Sequence, residues 1–396
     1  MHQPFPSRLH LVLILGTLTA FGPLATDMYL PAFPALAREF GTDAAAVQGT
    51  LATYFLGLGI GQAIYGPISD RTGRRGPLLF GISLFILASA VCALSTSIEG
   101  LWLGRLGQSL GGCVGMALGR AAVRDLFVGA EAARFFSHLI LVLGIAPIVA
   151  PTLGGQILIH FGWRAIFWAL AGFGVFGLIA VWFTLPETLP RERRASGGIG
   201  AALADYQQLL ADRRFLAFTL SSNFIFAGMF VYIAGTPFVF IELFGVAPEH
   251  YGLLFGLNAV GIVLASQLNA RLVLHFLPAL LLRAGLAVFV AAAVVLAFAA
   301  WLGAGLVWVA VPLFFTVAMM GIVPPNAMAL AFEHYPRAAG SASALTGAFQ
   351  FGIGAPVVVL LGALHDGTAR PMAGIILVCA MLALTINLIA TPSSRK

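Results

Sequence analysis

Residues 278–302 read PALLLRAGLAVFVAAAVVLAFAAWL, with one charge, Arg283, near the start. A run of this length wound as helix crosses a hydrocarbon layer of roughly 30 Å, and it carries no polar face with which to meet water. Comparable runs recur along the chain. Before it lie Leu9 to Leu30, Val47 to Ile68, Pro77 to Leu94, Leu101 to Ala122, Phe135 to Ile159, Ala165 to Leu185, Phe215 to Phe244 and Tyr251 to Leu272. After it come Leu306 to Leu330, Ala338 to Leu364 and Pro371 to Ala390. The pattern predicts an all-α membrane protein of twelve transmembrane helices. The whole composition agrees: of 396 residues, 60% are hydrophobic and only 9% charged, far too few to coat a soluble surface. A cytosolic enzyme, a secreted disulfide scaffold and a disordered chain are therefore excluded. The run from Leu9 is read as the first span and not as a signal peptide, because it is too long and more spans follow.

Six spans precede a polar stretch, Pro186 to Arg214, and six follow it. This divides the chain into an N-terminal six-helix bundle over 1–185, a linker over 186–214 and a C-terminal six-helix bundle over 215–396. The linker holds Arg191, Arg193, Arg194, Arg213 and Arg214, the pair Gly197-Gly198, and an amphipathic piece around Leu203 to Leu210. If the linker is cytoplasmic, alternation places both termini inside, along with Arg71, Arg74, Arg75, Arg124, Arg134, Arg271, Arg283, Arg337, Arg395 and Lys396. The other face keeps Arg38, Arg164 and Arg370 against Glu39, Asp43, Glu99, Glu242, Glu249 and Asp366. That asymmetry orients the chain by the positive-inside rule, and it accounts for the net charge of +6 without a nucleic-acid partner. Cys92, Cys113 and Cys379 all sit inside apolar runs, so a disulfide framework is not expected.

The loop after the second span reads Gly66-Pro67-Ile68-Ser69-Asp70-Arg71-Thr72-Gly73-Arg74-Arg75-Gly76-Pro77-Leu78. Gly73 permits a tight turn, Asp70 can pair with a basic group or a helix N-terminus, and the arginines can anchor to headgroups. By its residues alone the loop is either a gating element or merely topogenic. Span four carries Arg105, with Gln108 and Gly112 on the same helical face, then Met116. An arginine inside an apolar run costs about 2.5–3.5 kcal/mol at a helix centre on insertion scales, so it either faces a partner or wet cavity or snorkels to the outer headgroups. Asp27, in Asp27-Met28-Tyr29-Leu30-Pro31, is the only acid placed within a span apart from Glu242, which sits at the outer end of the seventh. Burying an ionised carboxyl is costly unless it is paired, so a site that dries and hydrates during a transport cycle can take up and release a proton. An ordinary interfacial aspartate before a proline break is the other reading. Span five holds Gly144, Pro147, Pro151, Gly154 and Gly155, small and kinking residues that suit a close helix contact. Polar and aromatic stripes mark candidate substrate contacts: Tyr54 and Gln62 on span two, Asn223, Phe226, Phe230 and Tyr232 on span seven, Asn258 and Asn269 on span eight, Thr346 and Gln350 on span eleven. Amides and hydroxyls between helices serve equally as structural hydrogen bonds.

The loop resembles the cytoplasmic signature of the major facilitator superfamily through Gly66, Asp70, Arg71, Gly73, Arg74 and Arg75. Arg105 with Gln108 and the following glycines resembles its span-four motif, Ser109 standing where the family carries glycine. Pro151, Gly154 and Gly155 resemble its antiporter motif, with Ala150 at the first glycine and Pro147 added. Asp27-Met-Tyr-Leu-Pro, Gly111-Gly-Cys with Arg120 and Val123-Arg-Asp-Leu-Phe, and Phe255-Gly-Leu-Asn258 with Asn269-Ala-Arg271 are similar to the bicyclomycin and chloramphenicol resistance (Bcr/CflA) branch of drug:proton antiporters. Thr19 stands where some related multidrug antiporters carry a second acid. The resemblance implies a monomeric, proton-coupled efflux carrier of small amphipathic antibiotics in the bacterial inner membrane, working by alternating access. Asp27 and Arg105 would couple protons, while Tyr29, Tyr54, Gln62, Gln108, Met116 and the second-half stripe residues would contact drug. Gly66, Asp70, Arg71, Gly73, Arg74, Arg75, Pro147, Pro151, Gly154 and Gly155 would gate. No cofactor is expected beyond the proton as coupling ion. An importer or facilitator of a nutrient shares the fold and loop signature. A membrane-embedded enzyme finds no support: neither His-Glu-x-x-His nor a phosphate-binding Gly-x-x-x-x-Gly-Lys loop is present, and the Gly-x-Ser-x-Gly match at Gly107 to Gly111 falls inside the apolar run of span four and not on a strand-to-helix turn.

Overall fold

The computed structural model describes residues 8–127, 129–194, 206–335 and 339–390. Gly197, Gly198, Leu203, Arg337, Arg395 and Lys396, invoked above for the linker and for orientation, lie outside them. Among the described residues the regular structure is helical throughout. We number the helices α1 (Arg8–Asp27), α2 (Phe33–Phe40), α3 (Ala44–Thr72), α4 (Arg75–Leu94), α5 (Ile98–Leu126), α6 (Gly129–Phe161), α7 (Trp163–Thr184), α8 (Arg213–Thr236), α9 (Pro248–Leu272), α10 (Pro278–Trp301), α11 (Leu306–Ala318), α12 (Val323–Phe332), α13 (Ala339–Ala363) and α14 (Arg370–Ala390). Ten segments are long and apolar enough to cross a membrane, α11 and α12 counting together. The other two long helices are α1 and α5. In α5 the residues Arg105, Gln108 and Ser109, with its glycines, dilute the apolar character.

Contacts group the chain into two units, Met1–Ser196 with Pro248–Gly252, and Gly197–Ala247 with Leu253–Lys396. In the first unit α5 packs along both α3 and α4, and α1 lies against α5 and α6. In the second, α8 is embraced by α12, α13 and α14. Pro248–Gly252, assigned by hydropathy to the second half, groups with the first.

Several span ends differ from their apolar limits, for identifiable reasons. α1 stops at Asp27 and not Leu30, because Pro31 cannot continue the helix, and a single 3-10 turn over Leu30–Ala32 leads into the short α2. α3 and α5 outrun their apolar cores to Thr72 and Leu126, their N-termini capped by the side chains of Asp43 and Ser97. The tenth span is broken: α11 ends in a 3-10 turn over Met319–Gly321, and Pro324-Pro325 restart the helix as α12. Span seven likewise passes into a π-helical stretch over Pro237–Leu243, where Pro237 has no N–H to give the ladder.

Candidate functional site

The first unit buries a cation where the sequence had two alternatives. Arg105 on α5 is 0% exposed, so it does not snorkel. Its Nη1 donates to the Ala25 carbonyl on α1 at 2.8 Å and to Gln108 Oε1 at 2.5 Å, and Gln108 Nε2 donates onward to Ser89 Oγ on α4 at 2.8 Å. The guanidinium carbon stands 4.1 Å from the ring centroid of Tyr29 and 4.1 Å from that of Tyr54 on α3, with Phe167 of α7 at 5.9 Å. Arg105 is thus held by two π faces and a backbone carbonyl, with no carboxylate in the pairing. Each such face is worth about 0.5–2 kcal/mol to a desolvated cation. Nε and Nη2 of Arg105 and the Tyr54 hydroxyl have no hydrogen-bond partner. Tyr29 sets its own ring by a 3.2 Å hydroxyl contact with Thr50 Oγ1.

Asp27 closes α1 two residues before Tyr29 and is buried, 5% exposed. It forms no ion pair with Arg105 or with any other described residue. Arg105 is met from α1 by the backbone carbonyl of Ala25 and not by the Asp27 carboxyl two residues on. Where the second acid of some related antiporters would stand, Thr19 bonds its hydroxyl to the Leu15 carbonyl. Of the other first-half stripe residues, Met116 packs against Gly22 of α1, and Gln62, half-buried, lies two turns beyond Tyr54 on α3. The structure therefore gathers Tyr29, Tyr54, Arg105 and Gln108 and leaves Gln62 apart from them.

The loop between α3 and α4 forms a second cluster. Arg74, 10% exposed at its side chain, donates to Asp70 Oδ1 at 2.5 Å, Ser69 Oγ at 2.7 Å and Asp125 Oδ2 at 2.9 Å. Glu187, just after α7, accepts from the backbone N–H of Arg74 at 2.7 Å and of Arg75 at 3.4 Å, placing a carboxylate on the positive N-terminus of α4. Burial works against the Arg74 charge, but the bonds to Asp125 and Asp70 outweigh it and hold the guanidinium above its ordinary pKa. Gly73 has φ +99°, and a Cβ there would overlap the Glu187 carboxylate, so both conformation and contact require glycine. Arg75 turns to the Trp182 carbonyl at 2.6 Å. Arg71 is exposed and enters none of these bonds, and a Cβ on Gly66 would meet nothing within 4 Å. Asp125 and Glu187 escaped the sequence reading. Asp125 stood in the quoted Val-Arg-Asp-Leu-Phe stretch, while Glu187 lies 113 residues from its partner and gave no signal.

On α6, Pro147 and Pro151 fall inside the helix. A Cβ on Gly154 would overlap the Met28 carbonyl, so this glycine lets α6 meet the end of α1 backbone to backbone. Gly155 lies under the Pro248 carbonyl, within the same unit. A third polar cluster ties α2 to the start of α7: Glu39 accepts from Trp163 Nε1 at 2.5 Å and from Arg164 Nη1, whose Nη2 donates to the Ser95 carbonyl at 3.1 Å.

In the second unit the stripe residues divide. Asn223 Nδ2 donates to the Thr346 carbonyl at 3.2 Å, leaving its Oδ1 buried without a partner. Asn258 does the same through Leu254 at 3.0 Å. Tyr232 stacks on Phe255 with centroids 5.1 Å apart, and Phe230 on Phe351 at 5.8 Å. Phe226 and Gln350 are half-buried. Asn269 accepts from Asn326 Nδ2 at 2.6 Å, and Asn326 also donates to the Ile322 carbonyl at the helix break, at 2.7 Å. Asn269 thus serves a structural clasp at the broken span, and its partner Asn326 was not anticipated. No cluster able to hold a metal ion occurs among the described residues.

The sequence profile of the Major Facilitator Superfamily matches residues 15–359. The MFS-type transporter YdgK of Bacillus subtilis is 38% identical over 96% of both chains. The bicyclomycin resistance protein homolog of Haemophilus influenzae is 30% identical over 97% of both. The chloramphenicol resistance protein of Pseudomonas aeruginosa is 32% identical, covering 95% of this chain and 88% of that one. Among solved structures, a D-xylose-proton symporter superposes with a TM-score of 0.75 over 97% of both chains at 17% identity, a likeness of fold alone.

Proposed function

Because the chain belongs to the major facilitator superfamily, and is a multi-pass membrane transporter and not an enzyme, we propose that it is a proton-coupled antiporter exporting small amphipathic antibiotics of the chloramphenicol and bicyclomycin type. Drug export is supported by relatives at 30–32% identity whose names carry those two resistances. Proton coupling rests on one observation: Asp27 is a carboxyl buried in a span with no cation bound to it among the described residues. A carboxyl so placed is stable only if it is neutral or hydrated, and alternating access exposes it to each state in turn. The carrier works as a monomer in the bacterial inner membrane with both termini inside, and it needs no cofactor. One proton entering at 100 mV contributes about 2.3 kcal/mol against about 1.4 kcal/mol per tenfold drug gradient, so one proton per neutral drug sustains roughly a 40-fold gradient before any pH difference.

The test is chloramphenicol accumulation in cells carrying wild type or Asp27→Asn, with and without a protonophore. Wild type should lower accumulation only while the proton gradient stands. Asp27→Asn should reach the membrane in normal amount and lose uphill export. Export that survives the substitution would remove Asp27 from coupling, and raised accumulation in wild-type cells would mean import.

A further inference from the structure

Buried cations in proteins ordinarily meet a carboxylate. Arg105 does not. Its guanidinium lies between the faces of Tyr29 and Tyr54, 4.1 Å from each centroid, and its Nη1 donates to the Ala25 carbonyl and to Gln108. Asp27, the acid of the same span as Tyr29, makes no ion pair with it. Two facts follow about what this part of the first unit offers a ligand. The π faces that would receive a quaternary or protonated amine are already filled by the protein's own cation. The groups left unsatisfied there include two guanidinium donors, Nε and Nη2, beside the Tyr54 hydroxyl, itself donor or acceptor.

We propose that the Arg105 cage sets the charge selectivity of the carrier, admitting neutral or anionic compounds with exposed oxygen acceptors and rejecting organic cations. The inference rests on the export reading and narrows its substrate class. A nitro, carbonyl or carboxylate oxygen finds the donors it needs at Nε and Nη2. A cation finds both aromatic faces occupied and a like charge between them, a charge that the buried Asp27 carboxyl does not pair with. Removing the guanidinium while leaving Tyr29 and Tyr54 in place converts the same residues into an empty two-walled aromatic site for cations.

The experiment is binding of tetraphenylphosphonium to purified protein in nanodiscs, comparing wild type with Arg105→Ala and Arg105→Lys. Arg105→Ala should bind the cation about five- to several-hundredfold more tightly than wild type, the range that two vacated π faces imply. Arg105→Lys, which keeps the charge, should remain as weak as wild type. Should Arg105→Ala fail to elute as a folded monodisperse species, Arg105→Gln takes its place, because it removes the charge and keeps a donor. No gain of cation binding in a folded charge-removing variant would overturn the proposal. So would wild type that binds tetraphenylphosphonium as tightly as chloramphenicol. Because the comparison is read on purified protein with a cation, it stands apart from export: cells that fail to expel chloramphenicol would sink the export reading, while the cation result alone judges the cage.

Discussion

Arg74 is bonded to two carboxylates, and the structure ranks them. The Asp70 pair joins residues four apart across the turn at Gly73 and its carboxylate is 49% exposed, so water screens it and its contribution is about 0.2–1 kcal/mol. The Asp125 pair bridges α3–α4 to the end of α5 with side chains only 10% and 16% exposed, and removing it strands a buried guanidinium N–H. A charge-assisted bond of that kind is worth about 1.5–3 kcal/mol. Asp125→Ala should therefore destabilise the first unit by several times more than Asp70→Ala, although only Asp70 belongs to the loop signature. The assay is a double-mutant cycle with Arg74→Ala, read by reversible unfolding in mixed micelles titrated with a denaturing detergent. Coupling to Arg74 should be about 1.5–3 kcal/mol for Asp125 and under about 1 kcal/mol for Asp70. If the loop is a gate latch, chloramphenicol efflux rates should fall in the same order. Equal couplings, or a larger one for Asp70, would refute the ranking by burial.

Gly154→Ala should be poorly tolerated, because the new methyl overlaps the Met28 carbonyl; overpacking costs about 1–3 kcal/mol, and efflux should drop more than expression does, since the displaced backbone adjoins Asp27. Normal efflux would show that α6 can back away freely. Glu39 is the pH-sensitive contact: burial alone would raise its pKa, yet the bonds from Arg164 and Trp163 hold it below the ordinary carboxyl value. Its contribution is complete above the unfolded pKa near 4.3 and is lost as pH falls through the depressed folded value, so Glu39→Gln should flatten the acid side of a stability-against-pH curve. Parallel curves for variant and wild type would mean the cluster is not coupled to folding.

The helical fold was legible because lipid demands long uninterrupted apolar runs, and those are visible without any knowledge of neighbours. Their ends were not, because Pro31, Pro237 and Pro324 act through local backbone bonding that an apolar average does not register. Arg105 stood out through the cost of its charge in an apolar run, and both of its aromatic walls were already among the candidate contacts. That the walls would hold it in place of Asp27 depended on how α1 and α3 pack against α5, which an apolar average does not register. Asn269 drew attention as a polar residue on a stripe, yet its role became readable only with Asn326 of the broken span beside it.

The Arg105 cage also bears on how the protein is made. Helix α5 carries Arg105 within its apolar run, and an arginine at a helix centre adds a penalty of about 2.5–3.5 kcal/mol at insertion. Ala25, Tyr29 and Tyr54 all precede Arg105 in the chain. A polypeptide emerging at roughly 5–20 residues per second therefore presents the carbonyl and both rings seconds before the cation that needs them. The order of synthesis supplies α5 with its receptor in advance, and a permuted chain beginning at α5 would have to insert that arginine into a membrane where nothing yet awaits it.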